Sequence, residues 1–172
     1  SGSEGSSLKV LLPCALFCYL EEIMNQEFFK IAFEEAKNAF DENEVPIGAV
    51  IVKDGIVLAK AHNQKEKKNC CTSHAEILAI EKVSKKLHNW RLEDCDIYIT
   101  LDPCPMCASA IKQARISHIY SALNNLDENN LNIILEIFKK DKTNCSVQFE
   151  SNLFPEPSKM LLNSFFEKQR NN

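Results

Sequence analysis

Two short segments, each at the start of a predicted helix, place the strongest constraint on how this chain folds. The first contains His74 and Glu76; the second, 30 residues later counted from His74 to Cys104, contains Cys104 and Cys107. Cysteines three positions apart on a helix present their sulfurs on one face and can bind one ion together. We therefore expect a fold that brings the two helix starts into contact, so that His74 supplies a third ligand.

Each segment taken alone has an ordinary structural explanation. Ser73 and Glu76 fit a capping box, while Asp102 fits an N-cap and Pro103 the first helical position. A lone C-x-x-C is also typical of a thioredoxin-like redox pair. Taken together, two thiolates and one imidazole match a single zinc ion. Three protein ligands rather than four leave a position open for water, as in catalytic sites.

Glu76 is predicted to act beside the metal rather than to bind it. Residues i and i+2 do not share a helix face, so Glu76 is poorly placed to ligate an ion that His74 holds. Zinc lowers the pKa of bound water from about 15.7 to roughly 7. A neighbouring carboxylate can take the proton of that water and pass it to a leaving group.

The apolar pattern predicts an α/β fold with a mixed sheet. A helical stripe over residues 27–40 is followed by two β-rich runs around Asp54-Gly55, a strong hairpin signal. Later strands alternate with helices, which implies parallel pairing. The predicted elements are helices at 27–40, 74–87, from 103, 131–139 and 158–169, and strands at 47–52, 56–61, 96–101, 118–122 and near Val147.

Length and charge limit the organisation of the chain. Its 172 residues fit one domain, which we assign to 24–172, with 1–23 as an expression scar or an N-terminal extension. The longest apolar run is too short for a bilayer, so no membrane association is expected. The net charge of −4 restricts any nucleic-acid site to a local patch. The adjacent Cys70 and Cys71 cannot easily pair with each other, so the eight cysteines favour a reducing cytoplasm.

The motif His74-x-Glu76 with Pro103-Cys104-x-x-Cys107 is the signature of the zinc deaminases. Within that superfamily the chain resembles the bacterial-type tRNA-specific adenosine deaminases, which convert the wobble adenosine of an anticodon to inosine. The resemblance covers most of 24–172. The segments that carry it are 41–50 (DENEVPIGAV), 62–63 (HN), 74–77 (HAEI), 90–92 (WRL), 101–107 (LDPCPMC) and 165–166 (FF) near Arg170.

This resemblance implies further properties of the fold and the site. It implies a three-layer α/β/α sandwich with a mixed five-stranded sheet of the cytidine deaminase type, one zinc ion per chain and a homodimer that binds the tRNA anticodon stem-loop. It also implies that Asn63 hydrogen-bonds the target nucleoside, Ile47 packs on the base and the backbone around Ala75 reads the base edge. From the pattern alone, the simpler interpretation is that Asn63 is a turn residue after the second strand and Ile47 a core residue of a strand.

One loop departs from the family pattern. Where the family has a glycine-containing stretch that ends in Arg-Asp, this chain has Ser121 to Leu126 with Asn124 and Asn125. That loop helps to hold the anticodon, so the departure concerns RNA recognition rather than zinc chemistry. The candidate basic contacts, which are otherwise ordinary surface charges, are Lys65, Lys67, Lys68, Lys85, Lys86, Arg91 and Arg115.

Three functions remain open at this point. The first is a hydrolase that deaminates wobble adenosine in tRNA, by hydroxide attack on an amidine-type ring carbon and loss of ammonia. The second is a deaminase of free bases or nucleotides, of the cytosine or guanine type, with the same zinc motif. The third is a non-catalytic zinc-binding subunit that presents RNA to a partner; the presence of Glu76 argues against it, because such a subunit needs no proton carrier.

Overall fold

The computed structural model describes residues 14–172, which form a five-stranded sheet between two layers of helices. The helices are α1 (Cys14–Asp41), α2 (Ala75–Leu87), α3 (Pro105–Gln113), α4 (Glu128–Phe138) and α5 (Pro155–Arg170). The strands are β1 (Gly48–Lys53), β2 (Ile56–His62), β3 (Cys95–Ile99), β4 (His118–Ser121) and β5 (Gln148–Glu150). This confirms the predicted α/β/α sandwich.

The sheet is mixed, with strand order β2-β1-β3-β4-β5. β1 pairs antiparallel with β2 and β3, whereas β3, β4 and β5 run parallel to one another. The predicted hairpin turn is present, because Asp54 and Gly55 both adopt positive φ angles of 51° and 74°. Such a turn matches the twist of the two strands that it joins.

Alternation along the strands builds two cores. Ala49, Ile51, Ile97, Ile99 and Ile119 face the layer of α2, α3 and α4. On the other face, Val50, Val52 and Tyr98 pack against Phe28 and Phe29 of α1. This period of two assigns every second strand residue to each helical layer.

α1 crosses the sheet at very short range. A Cβ atom at Gly48 would lie 2.0 Å from the Ala32 carbonyl oxygen and 2.7 Å from the Ala36 nitrogen, so only glycine fits there. The close approach fixes the start of β1 and the preceding segment that contains Val45 and Ile47. Within residues 14–172, no helix combines the length and apolarity that crossing a membrane requires.

Several helix starts differ from the predictions. α1 begins at Cys14 rather than near residue 27, so its first turns lie in the segment 1–23 that the sequence assigns to a scar or an N-terminal extension; these turns are largely exposed. α4 begins at Glu128, because Asp127 caps it by accepting the Asn130 N–H at 2.8 Å. α5 begins at Pro155, since proline is well suited to a first helical turn. The segment before residue 14 lies outside the described residues.

Candidate active site and metal centre

The starts of α2 and α3 meet beside the ends of the central strands. His74 is the N-cap of α2 and Cys104 is the N-cap of α3, and neither side chain makes a capping hydrogen bond. The predictions of Ser73 as part of a capping box and of Asp102 as N-cap are therefore wrong. The residues at the two caps instead direct their side chains towards each other.

Asp102 has a different position from the predicted one. It is buried after β3, where one carboxylate oxygen accepts the Ser151 hydroxyl at 2.5 Å and the other has no hydrogen-bond partner among residues 14–172. Burial raises the pKa of this carboxyl group. Asp102 therefore joins the end of β3 to the segment after β5, while α3 starts three residues later, at Pro105.

Three side chains converge as a metal-binding group. The Nδ1 atom of His74 lies 3.7 Å from the Cys104 sulfur and 3.6 Å from the Cys107 sulfur. All three ligand atoms lie within 4.8 Å of one another. Tetrahedral zinc, with Zn–S of about 2.3 Å and Zn–N of about 2.0–2.1 Å, requires a nitrogen–sulfur separation of about 3.6 Å. The donor types and their spacing therefore fit one zinc ion.

The two cysteines differ in their acidity. The Cys107 thiol donates a hydrogen bond to Cys104, which lowers the pKa of Cys104 to about 5. The same hydrogen bond and burial raise the pKa of Cys107. The N-terminus of α3 adds a favourable dipole for negative charge. A lowered pKa at Cys104 favours the thiolate form, which is the form that binds a cation.

Glu76 is buried one residue inside α2 and lies beside the cysteines, outside the group of three ligand atoms. Burial is the main cause that raises its carboxyl pKa, and the negative charge of Cys104 acts in the same direction. A carboxyl group with a raised pKa accepts and returns a proton more readily near neutral pH. This is the property expected of a proton carrier.

A cavity of about 240 Å³ opens next to the ligand group. It is lined by Val45, Ile47, Asn63, Lys65, His74 and Ala75, so the three predicted substrate residues share one cavity with a predicted ligand. Asn63 is buried, and its amide makes two long hydrogen bonds, donating to the Val45 carbonyl at 3.5 Å and accepting the Lys65 N–H at 3.4 Å. Bonds of this length are readily exchanged for bonds to a substrate.

Two wider grooves flank this cavity, and Val45 lines all three spaces. One groove, of about 580 Å³, lies between the loop after Asn63 and Phe165 of α5. The other, of about 390 Å³, is lined by Phe166 of α5 together with Asn124 and Asn125 of the altered loop. The departure from the family pattern therefore lies in direct contact with the space around the cavity.

Two residues near the cavity have structural roles that the sequence does not indicate, Glu44 in holding the loop 63–74 and His62 at the end of β2. Glu44 is buried and accepts the backbone N–H groups of Glu66 at 3.1 Å and Lys67 at 2.7 Å. The ring of His62 lies between two carboxylates: its Nδ1 atom is 2.7 Å from Glu35 and its Nε2 atom is 3.0 Å from Glu42. Both residues lie in segments that carry the family resemblance, 41–50 and 62–63, but no local pattern indicated their contacts.

The predicted basic residues separate into two groups. Lys65 lines the cavity, and Lys67 pairs with Glu42 at 3.5 Å. Arg91 and Arg115 lie near Trp90, at the far end of α3 from Cys104. Arg115 therefore does not line the site. All eight cysteines lie within residues 14–172 and are unpaired there.

Comparison with known proteins gives consistent matches. The sequence profile of the MafB19-like deaminases matches residues 23–170. The tRNA-specific adenosine deaminase of Aquifex aeolicus is 42% identical over 151 residues, which cover 87% of this chain and 99% of that protein. The tRNA-specific adenosine deaminase of Bacillus subtilis is 34% identical over 143 residues, covering 83% and 89% of the two chains.

Solved structures resemble the fold in the same way. A tRNA:A34 deaminase, studied for A-to-I editing at the wobble position, superposes with a TM-score of 0.71 at 36% identity and covers 80% of this chain and 99% of that one. A guanine deaminase of Bacillus subtilis superposes with a TM-score of 0.57 at 32% identity, covering 86% and 94% of the two chains. The fold is therefore common to deaminases of RNA and of a free base.

Proposed function

The chain belongs to the family of the tRNA-specific adenosine deaminases. We propose that it removes the amino group of the wobble adenosine in tRNA, and that His74, Cys104, Cys107 and Glu76 form the reaction centre. The reaction is hydrolytic deamination: the wobble adenosine and water give inosine and ammonia. One C–N bond to the amino group breaks and one C–O bond forms at the same ring carbon. No oxidant or reductant is needed.

His74, Cys104 and Cys107 are proposed to hold one zinc ion per chain. The proposal is supported by the donor set and by nitrogen–sulfur distances of 3.6 and 3.7 Å. When bound, zinc supplies Lewis acidity that brings the pKa of water down to about 7. The three ligands come from two rigid helix starts, so the site is largely formed before an ion binds.

Glu76 is proposed to move the proton. Its carboxylate accepts a proton from the attacking water and delivers it to the purine, so that the amino group can leave as ammonia. Burial of Glu76 keeps bulk water away from this carboxylate, and the helix backbone fixes its position. Both effects favour transfer between neighbouring groups over loss of the proton to solvent.

Asn63, Ile47 and Ala75 are proposed to bind the adenosine. They line one cavity with His74, which supports contact with a single nucleoside. The Asn63 amide offers both a donor and an acceptor, Ile47 offers an apolar surface for the base, and the backbone at Ala75 lies next to the ligand group. Together these residues would hold the ring carbon beside the metal and Glu76.

The observation that favours RNA over a free base as substrate is that Val45 lines three neighbouring spaces. A free base needs only the cavity of about 240 Å³, whereas this cavity opens between grooves of about 580 and 390 Å³. Asn63 and Phe165 face the first groove and Asn125 and Phe166 the second, which suits nucleotides on both sides of a flipped-out adenosine.

The function is tested by offering the purified protein an anticodon stem-loop with a wobble adenosine, alongside free adenine, guanine, cytosine and adenosine. We expect inosine at the wobble position and no ammonia from the free compounds. Ammonia from a free base without inosine in the RNA would instead indicate the second class of deaminase. Absence of turnover with either substrate, despite bound zinc, would indicate an RNA-presenting subunit.

Asn63→Ala is expected to lower kcat/KM for the stem-loop by about 10- to 100-fold, because one hydrogen-bonded contact to the nucleoside is lost. Zinc content should equal that of the wild type, since the amide makes no bond to the ligand group. Steady-state kinetics and metal analysis of the same preparation provide the measurement. Gln64→Ala, at the next position, is the matched control and should keep its full activity.

We also propose a homodimer and a cytoplasmic location. The family resemblance supports the dimer, and the unpaired cysteines support a reducing compartment. Light scattering coupled to size-exclusion chromatography would measure the mass in solution. A mass of about 39 kDa, twice the 19.5 kDa chain, is the expected result.

A further inference from the structure

The only tryptophan of the chain is half exposed, and the guanidinium groups of two arginines lie against its ring. Trp90 is 52% exposed, the Arg91 guanidinium lies 4.3 Å from its ring centroid and that of Arg115 lies 5.8 Å from it. The chain has three arginines, the third being Arg170. Two of the three therefore meet at one aromatic ring, which we name the Trp90 platform (Trp90, Arg91, Arg115).

The backbone fixes the platform in place. Leu92 is buried, and its N–H donates to the Ala114 carbonyl at 2.7 Å, which holds the segment after α2 against the end of α3. Arg115 follows α3 with a φ angle of 66°, a conformation that glycine usually occupies at this position. Any residue with a Cβ atom at such a position costs about 1 kcal/mol relative to glycine. The guanidinium groups thus project from ordered backbone rather than from a loose loop.

Both guanidinium groups are free to bind an anion. Within residues 14–172, neither Arg91 nor Arg115 takes part in an ion pair. Asp141 is an acidic neighbour, but its carboxylate accepts bonds from Thr143 and lies 3.7 Å from the Lys112 ammonium. A guanidinium stacked on an aromatic ring keeps its N–H edge available for two bonds to a phosphate.

The α1 side of the sheet, opposite the platform, carries negative charge. A cavity of about 240 Å³ between α1 and the sheet is lined by Glu21, Asp54, Asp96 and Glu150. Such a surface repels phosphate groups. In a chain with a net charge of −4, the platform is therefore a local exception on the α2–α3 side, where Lys85 and Lys86 end α2.

The distance from the reaction centre suits a second contact with RNA. α2 and α3 both begin at the ligand group and both end near the platform. At 1.5 Å per residue, their lengths correspond to about 20 and 14 Å. An RNA strand carries a phosphate at intervals of a few ångströms, so this span corresponds to several nucleotides beyond the wobble position.

We propose that the Trp90 platform binds the sugar–phosphate backbone of the tRNA outside the anticodon loop, with Arg91 and Arg115 as the phosphate ligands and Trp90 as their support. The proposal rests on the proposed function, because it assumes that tRNA is the substrate. It gives this acidic chain a defined basic contact that the altered Asn124-Asn125 loop does not supply. A second protein chain on this surface is the competing occupant.

The test uses Arg115→Gly and Arg91→Gln in the full chain. Glycine fits the positive φ angle at 115, so the first variant removes the guanidinium without disturbing the backbone. Binding of full-length tRNA to the zinc-loaded protein is measured directly by fluorescence anisotropy at several salt concentrations. Deamination is measured with the same tRNA and with an anticodon loop that carries only a short stem.

For full-length tRNA, we expect each variant to raise Kd and KM about tenfold, to keep kcat, and to lower the slope of log K against log salt by about one. The short stem-loop should be deaminated as by the wild type. Lys30→Gln, which removes one exposed charge on α1, should change neither the Kd for tRNA nor the slope of log K against log salt. Unchanged tRNA binding in both arginine variants would overturn the proposal, as would an equal loss with the short stem-loop.

Two further outcomes separate this proposal from its premise. A change of oligomeric state in Arg91→Gln or Arg115→Gly, seen by light scattering, would assign the surface to protein contacts and overturn the proposal. If the wild type binds tRNA with a platform-dependent salt slope but forms no inosine, the proposed function fails and the platform stands. If inosine forms and the salt dependence of tRNA binding does not depend on the platform, the proposed function stands and the proposed tRNA contact at the platform is refuted.

Discussion

Glu76→Gln is expected to lower kcat by about 10²- to 10⁴-fold, the usual contribution of a general acid–base group. Glutamine has the size of glutamate, so the buried position at the start of α2 remains filled. Its amide cannot take a proton from water and return it to the purine. The loss should appear in kcat rather than in KM, because Glu76 acts on the proton and not on the docking of the RNA.

The measurement is single-turnover deamination of an anticodon stem-loop, with the zinc content and the unfolding temperature of the same sample. Glu81→Gln is the matched control, because Glu81 is an exposed residue further along α2. It should keep wild-type turnover. If Glu76→Gln retained turnover, the proton would have to move through another group, and the assignment of Glu76 would be wrong.

The arrangement of strands and helices could be predicted because local signals and long-range packing agree. Asp54-Gly55 fixed a hairpin turn through its two positive φ angles, and the alternation of apolar residues assigned the strand faces. The exact helix starts could not be predicted in the same way. Asp102 has the side chain of an N-cap, but the hydroxyl of Ser151 binds its carboxylate instead. A contact over 49 residues leaves no local pattern.

The ligand group was predictable for a different reason. Zinc restricts the donor atoms so strongly that spacing and residue type suffice, and the structure brings His74, Cys104 and Cys107 together. The two residues that support the surroundings of the cavity, Glu44 and His62, obey no such restriction. Glu44 and His62 bind backbone groups and carboxylates, partners that any polar residue can use. Their role follows only from the distances in the folded chain.

Cys104→Ala is expected to abolish both zinc binding and deamination. Removing one of three protein ligands leaves two, and a site with two ligands does not retain zinc through purification. The change also removes the thiol whose pKa is lowered to about 5 by the hydrogen bond from Cys107. The zinc content found by metal analysis should fall from about one ion per chain to background, and inosine formation should fall below detection.

A thermal measurement separates loss of the ion from loss of the fold. An ion that binds only the folded chain stabilises it by about 2.7 kcal/mol when present at 100 times its Kd. A chelator should therefore lower the unfolding temperature of the wild type and leave that of Cys104→Ala unchanged. Cys145→Ala, a partly buried cysteine outside the ligand group, should behave as the wild type in all three measurements. Full zinc content in Cys104→Ala would contradict the assignment, because other residues would then have to hold the ion.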